Sequence, residues 1–194
     1  MANANAARGL VPYRRNTGEP YNGAANIYYV PAAVASQINV GDPVTYLTAA
    51  ADANGIPSVT LASAGGSNYL LGAMVGIVNG GEPPVTVLQS ASIYHPASTA
   101  GYILVADDPD LLYMVQENGN MGATAPNRNV NLVSGAGSTY GISGWQLNSS
   151  TLATTATLQM RVVRMLEQGD NVAGTNAKWL CRINLNALTN TTGV

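Results

Sequence analysis

Phenylalanine is absent from this chain, cysteine and histidine occur once each, and charged residues make up only 9% of its 194 residues. A single cysteine, Cys181, excludes an internal disulfide and any metal site built from several cysteines. His95 is the only histidine. The sequence nominates no nucleophile or carboxylate beside it, and a loop histidine ahead of Pro96 is the favoured reading. The longest apolar run, residues 69–78, is too short to cross a bilayer as a helix. The first residues lack a basic stretch followed by an apolar core, so no signal peptide is expected. Soluble domains average about 25% charged residues. Here Ser, Thr, Asn and Gln must cover the exterior instead. That suits a protein whose faces are covered in an assembly, or a polar, uncharged β surface on a secreted domain.

What is present is small, apolar or tyrosyl. Apolar residues make up 46% of the chain, with ten Tyr and two Trp. A phenol wants a hydrogen-bond partner, so much of the aromatic area belongs at edges and interfaces. Net charge is −2, which gives no overall basic field to attract nucleic acid. The charge is uneven. Residues 1–30 carry Arg8, Arg14 and Arg15 against Glu19, whereas the remainder is acidic on balance. The opening stretch also holds Gly9, Pro12, Gly18, Pro20 and Gly23, which interrupt regular structure. With Tyr13 and Tyr21 it combines breakers with residues that make interfaces. It is expected to be an extended N-terminal arm over residues 1–25, ahead of a β-rich body over 26–188 and a flexible tail over 189–194.

Short apolar segments separated by Gly, Pro, Asn and Asp predict about ten strands. They fall at 26–30, 44–48, 56–62, 69–78, 85–88, 92–94, 101–106, 111–117, 151–166 and 177–185. Gly72 and Gly76 predict a bent or bulged strand. A phase slip at Val162-Val163 predicts a second bulge. Residues 101–106 and 111–117 read as a hairpin around Asp107-Asp108-Pro109-Asp110. Residues 79–84 read as a break, and 127–133 as the only helical turn. In the last strand Trp179, Cys181, Ile183 and Leu185 alternate inward, with Lys178, Leu180, Arg182 and Asn184 outward. The sum is an all-β fold with little helix, a β-sandwich or barrel.

No paired carboxylates, metal-ligand cluster or Ser-His-Asp arrangement can be argued, so no enzyme, metal or cofactor is expected. The acidic run 107–110 has carboxylates that a calcium ion could use, but its spacing matches no calcium loop and Asp and Pro favour turns for backbone reasons. Cys181 on an inward strand position reads as a small buried hydrophobe. Arg14 and Arg15 could hold phosphate, yet no aromatic stacking is patterned around them. Arg and Tyr are equally the anchors of protein interfaces. The candidate partner-binding residues are therefore Arg8, Tyr13, Arg14, Arg15 and Tyr21, with a protein rather than nucleic acid or membrane as partner.

Several segments carry a resemblance. ANANAARGLVPYRR at 2–15 and GEPYNGAANIYYVP at 18–31 resemble the N-termini of head decoration, or cement, proteins of tailed bacteriophages. The likeness continues through VGDPVTY at 40–46, YILVADDPDLLYMVQE at 102–117, LATTATLQMRVVRML at 152–166 and NVAGTNAKWLCRIN at 171–184. It implies a jelly-roll-like body and no catalysis. It further implies a place on the outer face of the phage capsid after synthesis in the bacterial cytoplasm. Its partners would be the major capsid protein and neighbouring copies of itself in a homo-oligomer. A tail or fibre-base virion protein is the first alternative. A carbohydrate-binding β-sandwich with Tyr13, Tyr94 or Trp145 as a sugar platform is the second.

Overall fold

The computed structural model describes residues 3–78 and 93–190. The expected break at 79–84 and strand at 85–88 lie outside these residues, as do the start of the strand at 92–94 and the end of the tail. The described residues form an all-β fold whose regular elements, apart from one 3-10 turn at Ser149–Thr151, are strands. They are β1 (Val11–Arg15), β2 (Asn26–Val30), β3 (Ile38–Asn39), β4 (Pro43–Ala51), β5 (Pro57–Leu61), β6 (Gly72–Val78) and β7 (Tyr94–His95). The second half supplies β8 (Gly101–Ala106), β9 (Leu111–Gln116), β10 (Asn129–Val130), β11 (Leu132–Val133), β12 (Gln146–Leu147), β13 (Met160–Met165) and β14 (Lys178–Ile183).

Two assemblies result. Strands β2, β5, β4, β6 and β8 close into a barrel, and β1, β9, β14, β13 and β10 form an open sheet in that order. Two short pairs, β3–β7 and β11–β12, complete the fold. Among the described residues this is a barrel beside an open sheet. Alternation explains both. Ile103 and Val105 of β8 point into the barrel with Val30, Val44, Val59 and Met74, making one apolar cluster. Tyr113 and Val115 of β9 and Trp179, Cys181 and Ile183 of β14 make the other. Ala73 and Ala106 join that second cluster from the barrel side, and Leu61 packs against both. The bulges expected from Gly76 and from the phase slip are present, between Met74 and Gly76 and between Val162 and Arg164.

Three expectations are corrected. Strands β8 and β9 are not a hairpin: β8 pairs with β2 and β6, and β9 pairs with β1 and β14. The acidic turn between them instead carries the chain from barrel to sheet. Residues 127–133 are the short strands β10 and β11, because Val130 and Leu132 are needed in the core on a chain too irregular for helix. The long strand expected over 151–166 is regular only from Met160, since a 3-10 turn capped by Asn148 and further turns precede it.

The N-terminal segment differs most from expectation. It does not stand off the body. Strand β1 is the edge of the open sheet, paired with β9, and Leu10 is fully buried in the core. The Asn3 side chain donates to the carbonyls of Val172 and Thr175. The Ala6 amide donates to Gln116 Oε1 at 2.9 Å. Gly9 lies so close to Gly41 that a Cβ there would sit 2.2 Å from the Gly41 carbonyl oxygen, at a positive φ of 65°. Leu10 then donates its amide to that oxygen at 2.8 Å. Gly9 thus serves a tight crossing over the body, not freedom from it. Leu10→Ala should lower stability by about 2–5 kcal/mol in urea unfolding, and deletion of residues 2–15 should abolish cooperative unfolding. An unchanged midpoint in either variant would restore the free arm.

The crossover from β8 to β9 is held at several points. Asp107 is buried and accepts from Tyr28 Oη at 2.5 Å and from Asn26 Nδ2 at 3.0 Å. Asp108 accepts from Arg15 Nε at 2.8 Å, and the Asp110 carbonyl accepts from the Asn16 amide at 2.8 Å. The Tyr113 hydroxyl donates to the Ala106 carbonyl at 2.7 Å. Asp107→Ala would leave the buried Tyr28 hydroxyl with only the long 3.5 Å contact to Tyr46 Oη. It should cost about 3 kcal/mol in chemical denaturation, the scale of a lost charge-assisted hydrogen bond. A loss below about 0.5 kcal/mol, the low end for an ordinary hydrogen bond, would remove Asp107 from its structural role.

Candidate interaction face

The five residues singled out from sequence do not form one site. Arg14 and Arg15 are consecutive on a strand and turn to opposite sides. Arg15 shares the inward side of its partner Leu111, reaches Asp108 and lies within 3.5 Å of Glu19. The Asp108 hydrogen bond is the main cause that raises its pKa further above its already high value. Tyr21 lines the same cleft of about 470 Å³, with Asn22 and Leu111. Its hydroxyl donates to the Ala24 carbonyl at 3.0 Å, and its ring packs against the larger core. The charges of this cleft answer one another. Tyr13 sits at the β1 bulge, 43% exposed.

Arg14 and Arg8 lie elsewhere, on the outer face of the open sheet. Residues paired across antiparallel strands point to the same face, so the register places each side chain. Arg14 stands opposite Leu112, and Arg161 stands opposite Arg182 and Asn129. The pairing of Cys181 with Tyr113 brings Arg182 alongside Leu112. One row across the face therefore reads Arg14, Leu112, Arg182, Arg161, Asn129. The next reads Val11, Met114, Leu180, Arg164. A third places Lys178 beside Gln116. Arg8 borders the face in a cleft of about 260 Å³ with Met114, Gln116 and Lys178.

Six of the eight basic residues of the chain thus gather on one face: Arg8, Arg14, Arg161, Arg164, Lys178 and Arg182. Arg164 pairs with Glu167, and Lys178 Nζ lies 3.1 Å from Asp170. The other four have no carboxylate partner among the described residues. Leu112 and Leu180 are almost fully buried although they point outward. Cross-strand neighbours lie about 5 Å apart, so the long stems of Arg14 and Arg182 flank Leu112. The Nε atoms of both arginines are buried without an acceptor among the described residues. Arginine covers apolar surface with its stem while its head stays available. The outward positions of Arg161, Lys178 and Arg182 are legible in sequence alternation. Their convergence with Arg14 is not, because it depends on β9 pairing with both β1 and β14.

The remaining candidates have structural surroundings. Trp145 is 3% exposed within the larger core, which removes it from any sugar platform. Tyr13 and Tyr94 belong to separate sheets. Cys181 is fully buried, and burial pushes its thiol pKa up, so it acts as a small apolar side chain. Asp107, Asp108 and Asp110 are engaged by protein groups as described above. No group of three or more metal-ligating side chains occurs among the described residues. A second surface feature lies around Gly141, where Ile93 approaches the turn and the side chains of Ile93, Tyr140 and Ile142 are all exposed.

His95 is buried in β7, and neither ring nitrogen has a hydrogen-bond partner among the described residues. Burial lowers its pKa below the ordinary value of about 6.5. The unfolded chain therefore takes up a proton that the folded chain refuses, and stability falls as pH drops through about 6.5. Buried Asp42 and Glu117 have raised pKa values, caused mainly by burial. Their sign is opposite: stability rises as pH falls through their folded values. His95→Phe should therefore flatten the decline in melting temperature between pH 7.5 and 6 and leave the acid-side behaviour in place. An identical decline in both proteins would remove His95 as its source.

Compared with protein-family models, curated proteins and solved structures, the chain matches none of them.

Proposed function

We propose that this chain is a capsid decoration protein that docks on the outer face of a phage shell and bridges neighbouring shell subunits. The observation that carries the reading is charge segregation. A chain with 9% charged residues directs six of its eight cations to one open sheet face, around the half-buried Val11 and Met114. That anatomy supports a broad, binding-only role. Apolar centres enriched in Arg and Met with a polar rim are the usual make-up of protein interfaces. The resemblance of the N-terminal, central and C-terminal segments to cement proteins supplies the identity of the surface. Docking is by a folded face and not by an extended arm, with Arg14 and Arg8 in the face and Arg15 and Tyr21 behind it. The exposed Ile93, Tyr140 and Ile142 support contact with neighbouring copies, because an exposed apolar patch is suited to covered positions in an array.

In this role the chain adds stability by linking subunits, so that many modest interfaces act together. Purified protein should co-sediment with empty shells of the major capsid protein at hundreds of copies per particle. The decorated shells should then withstand higher temperature than bare ones. A handful of copies would assign the chain to the tail or fibre base. Failure to bind shells, with binding to a glycan array, would assign it to host-surface sugars.

A further inference from the structure

The basic face contains an unfavourable feature that points to its partner. Arg161 and Arg182 are directly opposite each other on adjacent strands, and neither has a carboxylate partner among the described residues. Like charges at directly opposed positions destabilise a sheet. Arg14 continues the row on the far side of Leu112, about two strand spacings, or roughly 10 Å, from Arg182. All three heads stand on the same open face. An assembled core strand does not need this arrangement, since neutral residues would satisfy it better.

We propose that the Arg14, Arg182 and Arg161 row is a receiving site for carboxylates of an acidic protein surface. Its occupant is a patch on the major shell protein with an apolar spot opposite the half-buried Val11 and Met114 and acidic side chains around it. This rests on the shell-docking reading above and adds the partner's chemistry and the face that meets it. Charge complementarity selects the occupant. A second copy meeting this face with its own equivalent face would bring arginine against arginine. A nucleic acid would want a continuous basic track with aromatic platforms, whereas the row is broken by buried leucine. The half-buried Val11 and Met114 fit an apolar protein contact instead. Arginine suits the rim because its planar fork matches a carboxylate with two parallel hydrogen bonds. A carboxylate between Arg161 and Arg182 also relieves their repulsion, so the free protein gives up some stability that the complex recovers.

Arg161→Glu tests this directly, because it converts the opposed like pair into an opposed ion pair. Its melting temperature should equal or exceed that of the parent, whereas its affinity for empty shells at about 0.15 M salt should fall at least tenfold. Arg14→Glu should weaken binding similarly, and raising salt should weaken the parent more than either variant. Ile142→Ser, on the separate apolar patch, serves as the comparison and should retain single-copy affinity. If the parent binds shells and Arg161→Glu and Arg14→Glu bind equally well, the face is wrong and the shell role stands. If the parent does not bind shells, the role and the inference fall together. If the parent binds short duplex DNA more tightly than shells at the same salt, and Arg161→Glu abolishes that, the face takes phosphate and the proposal is overturned.

Discussion

The Asp107 carboxylate sits where the barrel passes its chain to the sheet, and both halves of the molecule depend on it. Taking a carboxylate out of water is costly unless donors surround it. Tyr28 and Asn26, both on β2, supply them. The barrel is closed partly by β2 pairing with β8, and Asp107 follows β8 directly. One side chain later, Asp108 holds Arg15 and so fixes the edge strand β1 against the sheet. Tyr113 secures the start of β9 by donating to Ala106. The two apolar clusters are thereby set at a defined angle and share Leu61 between them.

That seam determines what the outer sheet face can be. Strand β1 is held at the edge beside β9, so Arg14 projects outward in line with Leu112 and Arg182, and Arg15 is drawn inward to Asp108. Two adjacent arginines therefore have different fates. One answers an internal carboxylate; the other joins a row that has none. Buried Asp107 and Asp42 serve the interior, part-exposed Asp108 holds Arg15, and six of the eight cations gather on one outward face. The shell-docking role proposed for that face follows from this division, together with the resemblance of several segments to cement proteins.

Much of the fold was legible in the sequence where one physical signal dominated. Asn26–Val30 is a strand because β-branched and aromatic residues fill it before Pro31. The inward set Trp179, Cys181 and Ile183 follows from strict alternation. The bulge after Val162 follows from a break in that alternation. Pairing was less legible. Residues 101–106 and 111–117 look like a hairpin because an Asp-Pro turn joins them, yet the same turn can carry a chain between layers. Pairings distant in sequence, of β8 with β2 and β6 and of β9 with β1 and β14, distinguish the two. Pro12 and the glycines of the first segment suggested a free arm, although Gly9 is there to let the chain pass against Gly41 and Ser143. The site was half visible. Arg8 and Arg14 could be named from their neighbourhood, but Arg161, Lys178 and Arg182 join them only through strand order, which local patterns do not encode.

The most direct test is a side-chain-resolution reconstruction of shells decorated with this protein. The account predicts the outer face of the sheet against the shell, with shell carboxylates within hydrogen-bond distance of Arg14, Arg161 and Arg182, and the Asp107 seam intact behind it. A reconstruction in which those arginines face solvent and the Tyr140 turn meets the shell instead would contradict it.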